Sequence, residues 1–139
     1  MADLPRDVLV CVAPDKIDGI WPHVSHFIES AIEHGRGDDT SEVVKADLDA
    51  GRSLLWVVWD GSGLLAAATT KIVNYPTKKA CVVTSCGGRE LPRWIAFIND
   101  LMNYAKSEGC AVMRISGREG WKAMLPDFRQ PFIVLEKVL

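Results

Sequence analysis

The stretch Ala80–Ser116, ACVVTSCGGRELPRWIAFINDLMNYAKSEGCAVMRIS, decides the fold. Its opening run, Ala80-Cys81-Val82-Val83-Thr84-Ser85-Cys86, is small or β-branched and uncharged, the composition of a strand covered on both faces. Gly87-Gly88 stops that run, and Pro92 stands where proline is best tolerated, the first position of a helix, since its missing N–H would have had no partner there. Trp94, Phe97, Ile98, Leu101, Met102 and Ala105 recur at three and four residue spacing. That spacing predicts one helix from about Pro92 to Glu108 whose apolar stripe packs on a sheet. Gly109 is the left-handed residue expected after a last turn, and Cys110–Ser116 alternates as a second strand. The unit is a β-α-β crossover with a glycine turn at a helix N-terminus. Unpaired N–H groups and the helix dipole would favour an anion there, although a Gly-Gly pair also serves simply to reverse a chain. Neither GxxxxGK[ST] nor GxGxxG is present.

The residues before this unit read as strand, two helices and a meander. Asp7–Ala13 is a short strand, carried by Val8-Leu9-Val10-Cys11-Val12 and ended by Pro14, and Ile17 to about His34 is a helix with Ile20, Trp21, Val24, Phe27, Ile28, Ala31 and Ile32 on one side. His23, His26, Glu29, Ser30, Glu33 and His34 fill the other side; histidines three apart near carboxylates could hold a metal, but the clean amphipathic pattern reads as a solvated face. After Gly35-Arg36-Gly37, Asp39 with Glu42 resembles a capping box opening a helix over about Thr40–Ala50 that ends at Gly51. Ser53–Trp59 is an apolar strand, Asp60-Gly61-Ser62-Gly63 a hairpin turn, and Leu64–Val73 the return strand. Beyond Ser116, the Gly117–Gly120 turn leads to a short helix with Trp121, Ala123 and Met124, and Phe132–Val138 reads as a last strand. The expected order is β-α-α-β-β-β-α-β-α-β. It implies an α+β fold with a mixed, mostly antiparallel sheet of six to seven strands and helices on both faces.

A chain of 139 residues fits a single domain spanning 1–139. A formal net charge of -2 argues against a nucleic-acid partner held by bulk charge. The first residues lack the basic-then-apolar order of a signal peptide and no apolar run is long enough for a membrane span, so the expectation is a cytoplasmic protein without a membrane partner. Cys11, Cys81, Cys86 and Cys110 lie far apart, mostly in or at strands, which suits reduced, buried thiols and no metal site.

Three stretches carry a resemblance to the GNAT superfamily of acyl-CoA-dependent N-acyltransferases. Leu54–Ala68 is similar to that family's second and third strands with their acidic glycine hairpin. Ile98–Cys110 resembles the end of its central helix, and Gly117–Phe128 takes the place of its last helix and following turn. The resemblance implies acetyl-CoA or another acyl-CoA as cofactor and an amine as acceptor. Its pyrophosphate would meet Ser85, Gly87, Gly88 and Arg89 at the start of the central helix, with pantetheine along the fourth strand. The full (R/Q)xxGx(G/A) signature is absent: the glycines are adjacent, and Pro92 removes one N–H.

The resemblance supplies no catalytic residue. The strand Ala80–Cys86 holds no carboxylate, and Ala123-Met124-Leu125-Pro126 stands where the family commonly has a tyrosine; Tyr75 and Tyr104 lie elsewhere. Cys86 is the one reactive side chain near the turn, with no histidine placed to assist it. Short, motif-degraded members of this kind are encoded by bacteriophages and prophages, some as virion or accessory components. Two functions therefore stand side by side: an N-acyltransferase of unknown acceptor, and an inert binding or structural protein that works through a protein partner or as a homodimer. Arg89, Arg93, Arg118, Lys122 and Arg129 either face the cofactor's 3′-phosphate or are solvated charges. Trp56 and Trp59, three apart in a strand, face opposite sides, so one of them, like Trp121, is open to a partner.

Overall fold

A computed structural model describes residues 7–35, 38–116 and 120–139. Strands β1 (Val8–Val12), β2 (Leu54–Trp59), β3 (Leu64–Asn74), β4 (Lys79–Gly88) and β5 (Val112–Ile115) form one sheet in the order β1-β2-β3-β4-β5. The first four are antiparallel neighbours, and β5 joins β4 in parallel after a helical crossover. Between β1 and β2 run α1 (Ile17–Glu33) and α2 (Ser41–Asp49). Between β4 and β5 run α3 (Leu91–Trp94), a 3₁₀ turn (Ile95–Phe97) and α4 (Ile98–Ser107); α5 (Gly120–Met124) follows β5.

Both faces of the sheet are covered, each by its own helices. On one face Val24, Phe27 and Ile28 of α1 and Val44 and Leu48 of α2 pack against Val12, Leu55, Val57 and Ala67. On the other, Trp94 packs with Val58, Leu65 and Ala66, and Leu9, Cys86, Phe97 and Trp121 close around them. Alternation along β2 sends Leu55 and Val57 one way and Trp56 and Val58 the other, and this makes an all-apolar strand the right sequence for the middle of such a sandwich.

Local signals land close to where the residues put them. Gly51, Gly61 and Gly109 take positive φ of 75°, 97° and 81°, as turn and helix-end glycines should. The α2 cap is one residue later than expected: Thr40, rather than Asp39, is the N-cap and accepts from Val43 N–H, while Asp39 accepts from Thr40 N–H. His23, His26, Glu29, Glu33 and His34 are exposed, and among the described residues no group of three or more His, Cys, Asp or Glu could hold a metal. No helix among the described residues is long and apolar enough to cross a membrane.

Three expectations need correction. Among the described residues the sheet has five strands rather than six to seven, because Phe132–Val138 pairs with none of them and the whole run 131–139 is exposed. The single helix expected over Pro92–Glu108 is broken into α3, the 3₁₀ turn and α4. The tighter winding superimposes residues three apart, which brings Trp94 and Phe97 to the same side of the sheet. Cys11 is exposed rather than buried, as β1 is a margin strand with one open edge, although all four cysteines are free thiols. The expected turn at Gly117–Gly120 and the side chain of Arg118 lie in part outside the described residues, as do Arg36 and Gly37.

Candidate functional site: an apolar chamber beside the end of β4

The parallel pairing of β4 and β5 runs from Ala80↔Val112 to Val83↔Ile115 and stops, while β4 continues beside β3 as far as Gly88. Along Thr84–Gly88 the side of β4 that faced β5 therefore has no strand beside it among the described residues. An apolar chamber opens at this point on the face covered by α3, the 3₁₀ turn and α4. Its floor is Trp56, Val58, Ala66 and Ala68 with Val83 and Cys86; Trp94, Phe97, Ile98 and Leu101 roof it, and Ile115 and Trp121 stand at the β5 end. Trp94 and Trp121 meet edge to face with ring centroids 6.4 Å apart, an arrangement that aromatic quadrupoles favour.

Polar groups near the chamber are engaged. The Trp56 indole N–H donates to Thr70 Oγ1 at 2.9 Å, and its ring meets Tyr104 edge to face at 5.0 Å. The Trp94 indole N–H donates to the Arg89 carbonyl at 2.8 Å, tying the roof to the turn that follows β4. Among the described residues Cys86 is the only lining residue that ionises, and burial pushes its thiol up to about 12. Burial thus disfavours its thiolate, the form in which a cysteine is nucleophilic.

The four residues expected to contact the cofactor are brought to one place, the end of β4 and the residue after it, but each is held by the fold. Ser85 lies opposite Thr69 and its hydroxyl is 2.5 Å from Thr69 Oγ1, on the face that α1 covers. Gly87 and Gly88 are strand residues, opposite Ala67 and Ala66, and not a turn. A β-carbon on Gly88 would lie 2.5 Å from the Ala66 β-carbon and 2.7 Å from the Leu65 oxygen, so close strand approach explains that glycine. The turn itself is Arg89-Glu90, with Glu90 at a φ of 53°. Arg89 N–H donates to the Leu65 carbonyl at 2.9 Å and its guanidinium to the Leu64 carbonyl at 3.1 Å. Pro92 has no N–H, and Arg93 N–H donates to the Glu90 carbonyl. Helix α3, a single turn, carries a far smaller dipole than the long helix expected from sequence.

Near the chamber, Arg93 gathers several carboxylates. It donates to Asp7 at 2.7 Å and to Glu90 at 3.1 Å and lies 4.0 Å from Asp60, so three carboxylates surround one guanidinium beside the chamber residues Leu9 and Trp94. Lys122 and Arg129 are exposed. Sequence reasoning missed that the tryptophans and small residues form a chamber: Ala66, Ala68 and Trp56 were legible as strand residues, but which face they shared with Trp94 and Trp121 depends on register.

No family model matches the sequence, and no curated protein does. Solved structures match along nearly its whole length. A GCN5-related N-acetyltransferase from Ralstonia eutropha JMP134 superposes with a TM-score of 0.71 at 17% identity, covering 96% of this chain and 99% of that one. An aminoglycoside acetyltransferase from an uncultured soil metagenomic sample, in complex with sisomicin, gives 0.69 at 9% identity, with 96% of each chain covered. A predicted acetyltransferase with acetyl-CoA from Clostridium acetobutylicum gives 0.67 at 13% identity, again with 96% of each covered. Likeness at these identities establishes architecture, and the chain has the fold of the GCN5-related N-acetyltransferases.

Proposed function

We infer that the chain binds an acyl-CoA or a related acyl thioester and is, by reaction class, an N-acyltransferase acting on an amine. The observation that carries this is the side of β4 from Thr84 to Gly88, unpaired among the described residues, opening onto an apolar chamber. Backbone groups of an open strand can bond the amides of a pantetheine arm, and an apolar chamber suits the acyl group, as ligand sites combine apolar walls with a few fixed polar groups. Fold neighbours that are acetyltransferases, one of them solved with acetyl-CoA, support the class. Ser85, Gly87, Gly88 and Arg89 are the residues proposed to lie along the cofactor. An amine acceptor is positively charged at neutral pH, and the excess of carboxylate around Arg93 suits it.

A second reading is favoured by a specific observation. Direct transfer needs a base to take the acceptor's proton. Among the described residues the lining supplies none, since burial pushes the Cys86 thiol up to about 12. On that reading the chain is a binding or accessory protein that holds an acyl ligand, or none, without turnover, the role the sequence resemblance gives to phage-encoded relatives.

Titration calorimetry with acetyl-CoA, together with melting curves, separates the possibilities. Ligand at about 100 times its Kd stabilises the fold by about 2.7 kcal/mol, several degrees for a domain of this size. Ala68→Leu fills the chamber floor and is expected to weaken binding at least about tenfold, roughly 1.4 kcal/mol. Binding with acyl transfer to an amine panel supports the transferase, and binding without transfer supports the second reading. No heat and no melting shift at millimolar acetyl-CoA would overturn acyl-CoA binding altogether.

A further inference from the structure

The chamber identifies what stands on the far side of the sheet. Thr70 bonds to Trp56 of the chamber floor, Val83 belongs to that floor, and Ile115 stands at its β5 end. Successive strand residues point to opposite faces, so Lys71, Val82 and Arg114, each next to one of those three, share the opposite face. Register puts them in one row: Lys71 lies opposite Val82 across β3 and β4, and Val82 opposite Arg114 across β4 and β5. Two cations therefore flank a single valine, each about 4.8 Å away in backbone spacing.

Their surroundings set these two apart from the other basic residues. Among the described residues four lysines and arginines are half-buried, Lys45, Lys71, Lys79 and Arg114. Lys45 donates to Asp18 and Asp49, and Lys79 to the Glu108 carbonyl. Lys71 and Arg114 have neither a hydrogen-bond partner nor a carboxylate among the described residues. Arg114 instead lies over the ring of Tyr75, 5.3 Å from guanidinium carbon to centroid, which positions the group without neutralising it. Withdrawing two like charges partly from water is unfavourable, and an anion between them offsets that cost. The ground around them is apolar. Val73 and Val112, each two residues along, share this face and are half-buried like Val82, and neither hydrophobic core includes any of the three.

We propose that Lys71 and Arg114 hold an anion on this face of the sheet, and that the ligand is a phosphate monoester on an apolar or aromatic body. A phosphate monoester carries roughly two negative charges at neutral pH, which matches two cations. The arginine fork and the lysine point charge both suit its oxygens. Val73, Val82 and Val112 supply the ground on which the body lies, and Tyr75, 43% exposed, borders it. The site faces away from the chamber and does not depend on acyl-CoA binding there.

The test uses the full chain with phenyl phosphate as probe, at low salt, because screening weakens accessible charge pairs. Calorimetry is expected to show one site, and amide spectra to shift at Lys71, Val82 and Arg114 but not at the chamber residues Ala66 and Trp94. Lys71→Gln and Arg114→Gln should each weaken binding at least about tenfold, the loss of one charge-assisted contact. Benzoate, with a single charge, and inorganic phosphate, with no apolar body, should each bind at least about tenfold more weakly than phenyl phosphate. Circular dichroism checks that the variants fold; if one does not, the other decides, and the amide map of the parent decides without either. Absence of heat and of amide shifts at about 10 mM phenyl phosphate overturns the proposal. So does binding that both variants retain, a set of shifts centred on the chamber, or benzoate or inorganic phosphate binding as tightly as the probe. Probe binding that persists in acetyl-CoA supports a separate site, and its loss on adding acetyl-CoA overturns one.

Discussion

The carbonyl oxygen of Phe27 in α1 lies so close to Gly87 of β4 that a β-carbon on Gly87 would sit 2.5 Å from it. A helix backbone thus rests directly on a strand backbone, and the glycine is there to allow it. The oxygen belongs to main chain and a β-carbon is fixed to it, so neither could swing aside.

Gly87→Ala is expected to destabilise the fold by about 1–3 kcal/mol, the usual range for forcing an extra carbon into a packed interior. Urea unfolding would read this as a lower midpoint at an unchanged slope. A melting point equal to the parent's would show that α1 does not seat on β4 as described. The effect is independent of any ligand, which separates it from a loss of cofactor binding.

Thr70 and Trp56 form a pair that tests itself. The indole N–H and Thr70 Oγ1 are 2.9 Å apart in the interior. Thr70→Val leaves that N–H without an acceptor and is expected to cost about 1–3 kcal/mol, whereas removing both partners costs less than the sum of the two single changes. A cycle of Thr70→Val, Trp56→Phe and the double variant measures the coupling. Additive effects would mean that the bond contributes nothing.

Stability should fall in alkali. Burial pushes the Cys86 thiol up to about 12 and the Cys81 thiol up to about 11, both from 9.0, and Tyr104 up to about 12 from 10.0. The unfolded chain releases these protons first, so above pH 9 it binds fewer than the folded chain. Stability is then lost as pH rises from about 9 towards the folded values. Melting points at pH 8, 9 and 10 should decline, and Cys86→Ala should make the decline shallower. At pH 8, iodoacetamide should label exposed Cys11 well before buried Cys81.

Asp60 gives the opposite slope. Its carboxylate accepts from Ser62 N–H at 2.9 Å, Gly63 N–H at 2.8 Å and the Ser62 hydroxyl at 3.0 Å, and those hydrogen bonds hold it below its ordinary value of 3.8. This stabilisation is present above pH 3.8 and is lost as pH falls through the folded value. Asp60→Ala should lower the melting point at pH 7, and the gap between variant and parent should narrow at pH 3. A gap that does not change with pH would show that the ionised form plays no part in the hairpin.

Much of the architecture was determined by the sequence alone. The Ala80–Ser116 pattern dictates a parallel crossover, the Asp60–Gly63 turn dictates a hairpin, and the 3.6-residue stripe of α1 dictates which side is buried, because each of these signals is set by neighbours within one turn or one strand. The tertiary structure decided what depends on register and distance. Gly87 and Gly88 read as a turn, yet β3 extends the ladder to both, and packing against Phe27 and Ala66 requires glycine there whether or not an anion is bound. Trp94 and Trp121 each read as helix residues, and only folding brings their rings together over the chamber. Phe132–Val138 has every local mark of a strand and forms none, because a strand is defined by the chain beside it, and residue preference alone does not provide one.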